Sequence, residues 1–129
     1  MEFVMIIVID DERTFAWYGA GRGEIRYART SSEGIVSIAK AWTNFSLRYG
    51  DMVDLYLDHD LGENDTIMPV VDFLYVAANA EAEGSISGLT MVIRNIYVHS
   101  QNPTAGDTII PLLSPLYKKV QRIALPELV

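Results

Sequence analysis

Residues 3–9, FVMIIVI, form an apolar run with no polar alternation. A run of that length predicts a strand covered on both faces, as in a parallel sheet. Residues 12–24 carry Gly19, Gly21 and Gly23 and predict a loop; 25–29, IRYAR, predict a second strand. Thr30-Ser31-Ser32-Glu33 has capping-box form, a hydroxyl followed three residues later by Glu. Behind it Ile35, Ile38, Ala39, Trp42 and Phe45 recur at helical spacing. Residues 52–58, MVDLYLD, predict a third strand with Asp54 near its start. Asp65 or Thr66 can then cap a helix whose Ile67, Val70, Val71, Leu74, Ala77 and Ala78 line one side. Pro69 falls in its first turn, where proline is tolerated, and Gly84 ends it. The segment 85–94 fits neither period. Residues 95–99, NIYVH, predict a fourth strand, and 120–125, VQRIAL, a fifth. Between them 104–118 is helical in pattern, with Pro111 and Pro115 predicting a kink or two short pieces. Strands alternating with helices predict a single α/β domain over 1–129, built on an open sheet.

The polar residues gather where the predicted strands stop. Strand one runs into Asp10-Asp11-Glu12-Arg13, strand three into Asp58-His59-Asp60, strand four into His99-Ser100-Gln101-Asn102. Open α/β sheets bind ligands outside the carboxyl ends of their strands, so parallel neighbours would bring these groups to one rim. Carboxylates about 4 Å apart repel by roughly 4 kcal/mol at a surface-like dielectric. Their convergence therefore requires a cation, shared protons or Arg13. Asp10, Asp11, Asp58 and Asp60 are the candidate metal ligands. An all-oxygen set suits Mg²⁺, with Mn²⁺ or Ca²⁺ as alternatives.

Each of these residues also has an ordinary use. Asp60-Leu61-Gly62 is a sufficient solvated turn. His99 on an apolar strand is a core histidine by default, Ser100 and Asn102 are helix caps, and Arg13 pairs with Glu12 or Asp11. Trp17, Trp42 and the tyrosines suit core or rim positions. Three strand ends carrying the same chemistry are what a set of unrelated turns does not explain.

Charge narrows the partners. The net charge is −7, and 10 basic residues are spread along the chain. That balance argues against a long nucleic acid or an anionic membrane, and leaves a small anionic ligand held by a few arginines or a metal. There is no cysteine, hence no disulfide or thiolate metal site. The N-terminal apolar run lacks basic flanks and ends in acids, so it reads as a strand, with the cytoplasm as the expected location.

Taken together, these residues resemble the receiver domain of response regulators: a first strand ending in an acidic pair, a third ending in Asp, and a fourth ending in a small hydroxyl residue. The resemblance implies that Asp10, Asp11 and Asp58 hold Mg²⁺, that Asp58 accepts a phosphoryl group, and that Ser100 contacts it. It implies an open, mostly parallel receiver/flavodoxin-like sheet of about five strands with helices on both faces. The short 12–24 loop predicts a reduced first helix. No length is left for a last helix. No lysine ends the fifth strand, where Leu125-Pro126 stands.

A closer resemblance is to the receiver-like group assigned to cyclic-phosphate processing. It is carried by Asp10-Asp11-Glu12-Arg13, Arg29-Thr30, Leu57-Asp58-His59-Asp60-Leu61-Gly62 with Asp65-Thr66, and His99-Ser100-Gln101-Asn102-Pro103 with Gly106.

Three functions fit this set. The first is a metal-dependent phosphoesterase acting on a cyclic phosphate or a nucleotide-derived ligand. In it Arg13, Arg29 and Asn102 bind the phosphate, and Asp58, His99, Ser100 and His59 are the candidate catalytic groups. Neighbouring strand residues point to opposite faces, so Asp58 and His59 face the same way only if the strand ends there; this favours His99 over His59 as the proton-transfer group, provided the chain turns after Val98. The second is a non-catalytic module that sequesters a phosphorylated nucleotide. The third is a phosphoacceptor that switches a protein partner. Without a last helix one sheet face is left apolar, and a homodimer would cover it.

Overall fold

The N-terminal apolar run forms β1 (Val4–Ile9). In the structure, a computed structural model that describes residues 4–11, 23–45, 52–62, 64–84, 88–99 and 103–123, β1 lies between β2 (Gly23–Ala28) and β3 (Met52–Asp58). β4 (Ile93–His99) and β5 (Val120–Arg122) extend the sheet beyond β3. Every pairing is parallel and the order is β2-β1-β3-β4-β5. The winding reverses direction next to β1, which places the ligand-binding crevice of such a sheet at the carboxyl ends of β1 and β3.

Three connections run the same way across the sheet: β2 to β3 through α1 (Ser31–Phe45), β3 to β4 through α2 (Met68–Ala82), and β4 to β5 through α4 (Pro103–Leu113). Right-handed crossovers in one direction put their helices on one face. Ile38, Leu74 and Ile109 of these helices accordingly join Ile7, Leu55 and Ile96 of the strands in one buried cluster. Among the described residues all helices belong to this face. The expected positions of the reduced first helix and the absent last helix, 12–22 and 124–129, lie outside the described residues. No described helix is long and apolar enough to cross a membrane.

α1 begins as its capping box predicts: Thr30 Oγ1 accepts from the Glu33 N–H at 3.1 Å and donates to Glu33 Oε1 at 3.3 Å. One turn in, Gly34 lies against the sheet. A methyl group there would stand 2.6 Å from Ile9 Cδ1 and 3.2 Å from its Cγ1, and Ile9 is fully buried. Gly34→Ala therefore destabilises the protein by about 1–2 kcal/mol in urea unfolding, because overpacking outweighs the roughly 1 kcal/mol that alanine gains in helix propensity.

Several elements differ from the pattern-based expectation. The segment 85–94 is ambiguous in sequence because a one-turn helix, α3 (Leu89–Val92), runs directly into β4; its residues 85–87 lie outside the described residues. Glu81 at the end of α2 accepts from the N–H groups of Gly88 (2.6 Å) and Thr90 (3.2 Å), satisfying donors at the start of α3. α4 passes through Pro111 without splitting; this proline is exposed, sits in the last turn, and Pro115 falls in the turn beyond. α2 starts at Met68, whose N–H donates to Thr66 Oγ1 at 3.2 Å, while Asp65 turns elsewhere. Past α4, the buried Tyr117 hydroxyl donates to the Leu74 carbonyl of α2 at 2.6 Å. Burial pushes that phenol well above the ordinary tyrosine range.

Asp54 does more than begin a strand. It is 5% exposed on the sheet face opposite the helices, and the β3–β4 register shifts between Val53 and Asp54. Val53 pairs with Ile93 and Asp54 with Asn95, so Arg94 is the extra residue of a β-bulge. The bulge lets two consecutive residues reach one carboxylate. Arg94 Nε and Nη2 donate to Asp54 Oδ1 and Oδ2 at 3.0 and 2.7 Å, and Asn95 Nδ2 donates to Oδ1 at 3.1 Å. Two residues further along, Tyr56 and Tyr97 stack with ring centroids 4.6 Å apart. Burial first, then the Asp54 charge, raises the Tyr97 pKa above its usual value.

Candidate metal and phosphate site

Register decides which side chains meet at the rim. Ile9 pairs with Leu57, so Asp10 and Asp58 come next on adjacent strands, and Asp58 pairs with His99 on the other side. Strand alternation carries Asp10, Asp58 and His99 on the sheet face that bears Val8, Tyr56 and Tyr97. Asp10, Asp58 and His99 are all buried, and Asp11 is half-buried. One carboxylate oxygen from each of Asp10, Asp11 and Asp58 lies within 4.8 Å of the other two.

Three charges so close and so dry oppose the fold. At an effective dielectric of about 20, each pair of charges at this separation repels by about 3 kcal/mol. A divalent cation reverses the sign of that contribution. The donors are hard oxygens from three carboxylates, the set that Mg²⁺, Mn²⁺ or Ca²⁺ takes. Asp10, Asp11 and Asp58 thus fit a divalent metal.

Asp60 stands outside this group. It is exposed, and its carboxylate accepts from the Gly62 N–H at 3.3 Å in an Asx-type turn, as the ordinary reading of Asp60-Leu61-Gly62 has it. Gly62 itself adopts φ 94°, and a methyl group on it would stand 3.2 Å from Asp11 Oδ2. Glycine is required there twice over, for the left-handed backbone and for the close pass by a cluster carboxylate. His59 is half-buried, follows the last residue of β3, and its carbonyl accepts from the Ile67 N–H at 2.9 Å.

On the other side of β1, the Asp10 N–H continues the ladder to the Ala28 carbonyl at 3.0 Å. Arg29 Nη1 donates to the Asp10 carbonyl at 3.0 Å, and its guanidinium lies 5.4 Å from the Tyr27 ring centroid. A cation is thereby tethered to the backbone of a cluster residue. Arg13, Ser100 and Asn102 lie outside the described residues.

Sequence reasoning missed one connection. Asp65 caps no part of α2; its Oδ2 accepts from the Ser31 N–H at 2.8 Å and its Oδ1 from the Ser31 hydroxyl at 2.6 Å. The hydroxyl bond first, then the backbone N–H, holds the Asp65 carboxyl below its ordinary value of 3.8. Its stabilising contribution is therefore complete at neutral pH and is lost as pH falls through the lowered folded-state value. Nothing local signals a pairing across 34 residues.

Sequence comparison places the chain that carries this buried acidic set in a family. The model of one family, described as the cyclic-phosphate processing receiver domain, matches residues 5–114. No curated protein and no solved structure matches the chain. The match covers the sheet through β4, α1, α2, all of α4 and the three clustered carboxylates, and the chain belongs to the cyclic-phosphate processing receiver domain family.

Proposed function

We propose that the rim at β1, β3 and β4 is the site of a metal-dependent phosphoesterase that opens a small cyclic phosphate, free or part of a nucleotide-derived molecule. The observation that carries this reading is the clustering of Asp10, Asp11 and Asp58 within 4.8 Å, with buried His99 paired to Asp58 on the next strand. Asp10, Asp11 and Asp58 hold the cation, Mg²⁺ being the natural choice. When bound, the ion supplies charge neutralisation at the phosphate oxygens and a lower pKa for a nearby water.

The chain's own groups do the rest. Arg29, tethered beside Asp10, offers a guanidinium fork to a phosphate oxygen, and Arg13 is a second such group. Water attacks phosphorus, one ring P–O bond breaks, the leaving oxygen takes a proton from His99, and the proton released by the attacking water restores His99, giving a phosphomonoester with a free hydroxyl. An imidazole titrates near neutral pH and suits that transfer. Ser100 and Asn102, one and three residues after His99, serve the phosphate in the same reading. With 10 basic residues spread along the chain against 17 acidic ones, a net charge of −7, the preferred ligand is small.

The two histidines separate the roles. His99→Asn lowers turnover of a cyclic phosphate by about 10²–10⁴-fold and leaves Mg²⁺ affinity nearly unchanged. His59→Asn changes turnover by less than about threefold, since the register pairs Asp58 with His99 and not with His59. Steady-state rates with 2′,3′-cyclic nucleotides, together with calorimetric Mg²⁺ titration of both variants, check this. Equal losses in the two variants would contradict the assignment of His99.

A further inference from the structure

The Asp65–Ser31 contact joins two loops that the proposed site uses from opposite sides. One is the β3–α2 loop, which begins at Asp58. It is folded back on itself by N–H to carbonyl bonds from Leu61 to Asp65 and from Asp65 to Gly62, both 3.2 Å. The other is the β2–α1 turn, in which Arg29 comes two residues before Ser31. The Thr30 hydroxyl accepts from the Glu33 N–H, and Asp65 takes a different donor of the same helix end, the Ser31 N–H, together with the Ser31 hydroxyl. Asp65 adds a charge-assisted, two-oxygen clamp on the first residue of that helix, from a part of the chain 34 residues away. Ser31 is 7% exposed, so water competes poorly for its donors.

The consequence falls on Arg29. Its guanidinium reaches the Asp10 carbonyl only if the β2–α1 turn keeps its place relative to β1. On the β2 side, the 28–10 ladder bond fixes that turn. On the helix side, the clamp does. We infer that Asp65 is a positioning residue: by gripping Ser31 it holds Arg29 against the Asp10 carbonyl, where the guanidinium meets the phosphate of the ligand. The same grip fills the start of α1 with a carboxylate, so phosphate recognition there belongs to Arg29 and not to the helix N-terminus. The proposal rests on the phosphate-site reading above for the role of Arg29, but not for its placement.

Two readouts keep placement and role apart. The first is the ¹⁵N relaxation of the Arg29 Nε–H group in the ligand-free protein, for wild type, Asp65→Asn and the milder Ser31→Ala. Both substitutions are expected to mobilise Arg29 while the amide spectrum of the sheet stays folded. An Arg29 as ordered in Asp65→Asn as in wild type overturns the proposal. The second is the affinity for inorganic phosphate in the presence of Mg²⁺. Asp65→Asn is expected to weaken it about tenfold, and to change it less than about twofold when Arg29 is already alanine. Mg²⁺ affinity without phosphate stays within about twofold in all variants. An equal loss of phosphate affinity with and without Arg29 overturns the positioning role. If Asp65→Asn mobilises Arg29 but Arg29→Ala leaves phosphate affinity untouched, the placement stands and the phosphate role of Arg29 falls.

Discussion

Asp58→Asn is expected to move two quantities in opposite directions. The carboxamide keeps the shape of the carboxylate and removes one of three charges crowded within 4.8 Å. Mg²⁺ affinity falls by more than about 100-fold, a loss larger than the 10–100-fold typical of second-shell changes, because a ligand charge itself is gone. Without metal the variant is more stable than the parent. Removing one charge deletes two repulsive pairs of about 3 kcal/mol each at an effective dielectric of 20, and water and counterions leave a net gain of about 1–2 kcal/mol. At saturating Mg²⁺ the order reverses, since the parent is stabilised by ligand binding and the variant is not. Thermal melts of both proteins, with EDTA and with Mg²⁺, check the crossing of the two curves. A variant less stable than the parent in EDTA would mean that the protein's own contacts to Asp58 outweigh the repulsion among the three carboxylates.

Asp54→Ala carries the largest expected loss of stability outside the rim. Removing one partner of a buried ion pair leaves the other uncompensated, at about 3–5 kcal/mol. Arg94 retains 32% side-chain exposure and recovers part of its hydration, so the lower end applies, about 3 kcal/mol. For a domain of this size that is a drop of roughly 10 °C in melting temperature. Asn95 loses its acceptor as well. Mg²⁺ affinity stays the same, because Asp54 lies four residues, about 13 Å, down β3 from Asp58. Paired replacement of Asp54 and Arg94 by apolar residues restores much of the loss, because no charge is then stranded. Urea unfolding with and without Mg²⁺ measures both effects; a collapse of metal affinity in Asp54→Ala would show that the two ends of β3 are coupled.

What could be read from the sequence follows from how local each signal is. β1 is evident because a central parallel strand is apolar on both faces, and α1 because its cap and apolar spacing lie within one stretch of chain. The rim carboxylates are evident because they stand where two strands end, Asp10 and Asp11 after β1 and Asp58 on β3. Asp54 and Asp65 are not evident: their partners stand 40 and 34 residues away, and a bulge at Arg94 or a loop crossing to Ser31 depends on register that no local pattern encodes. Asp60 misleads for the converse reason. It shares the composition of the acidic cluster, but the turn after Asp58 carries it to the surface. His59 and His99 look alike in sequence and are separated by the register, which pairs Asp58 with His99.

The most direct test of the account is ³¹P NMR of a panel of cyclic phosphates, 2′,3′-cyclic nucleotides and ADP-ribose cyclic phosphate among them, incubated with the protein and Mg²⁺. The account predicts that at least one cyclic resonance gives way to a phosphomonoester over many turnovers, and that EDTA or Asp58→Asn stops the conversion. Cyclic resonances that stay unchanged across the panel with Mg²⁺ present, or a conversion that proceeds equally well in Asp58→Asn, would contradict it.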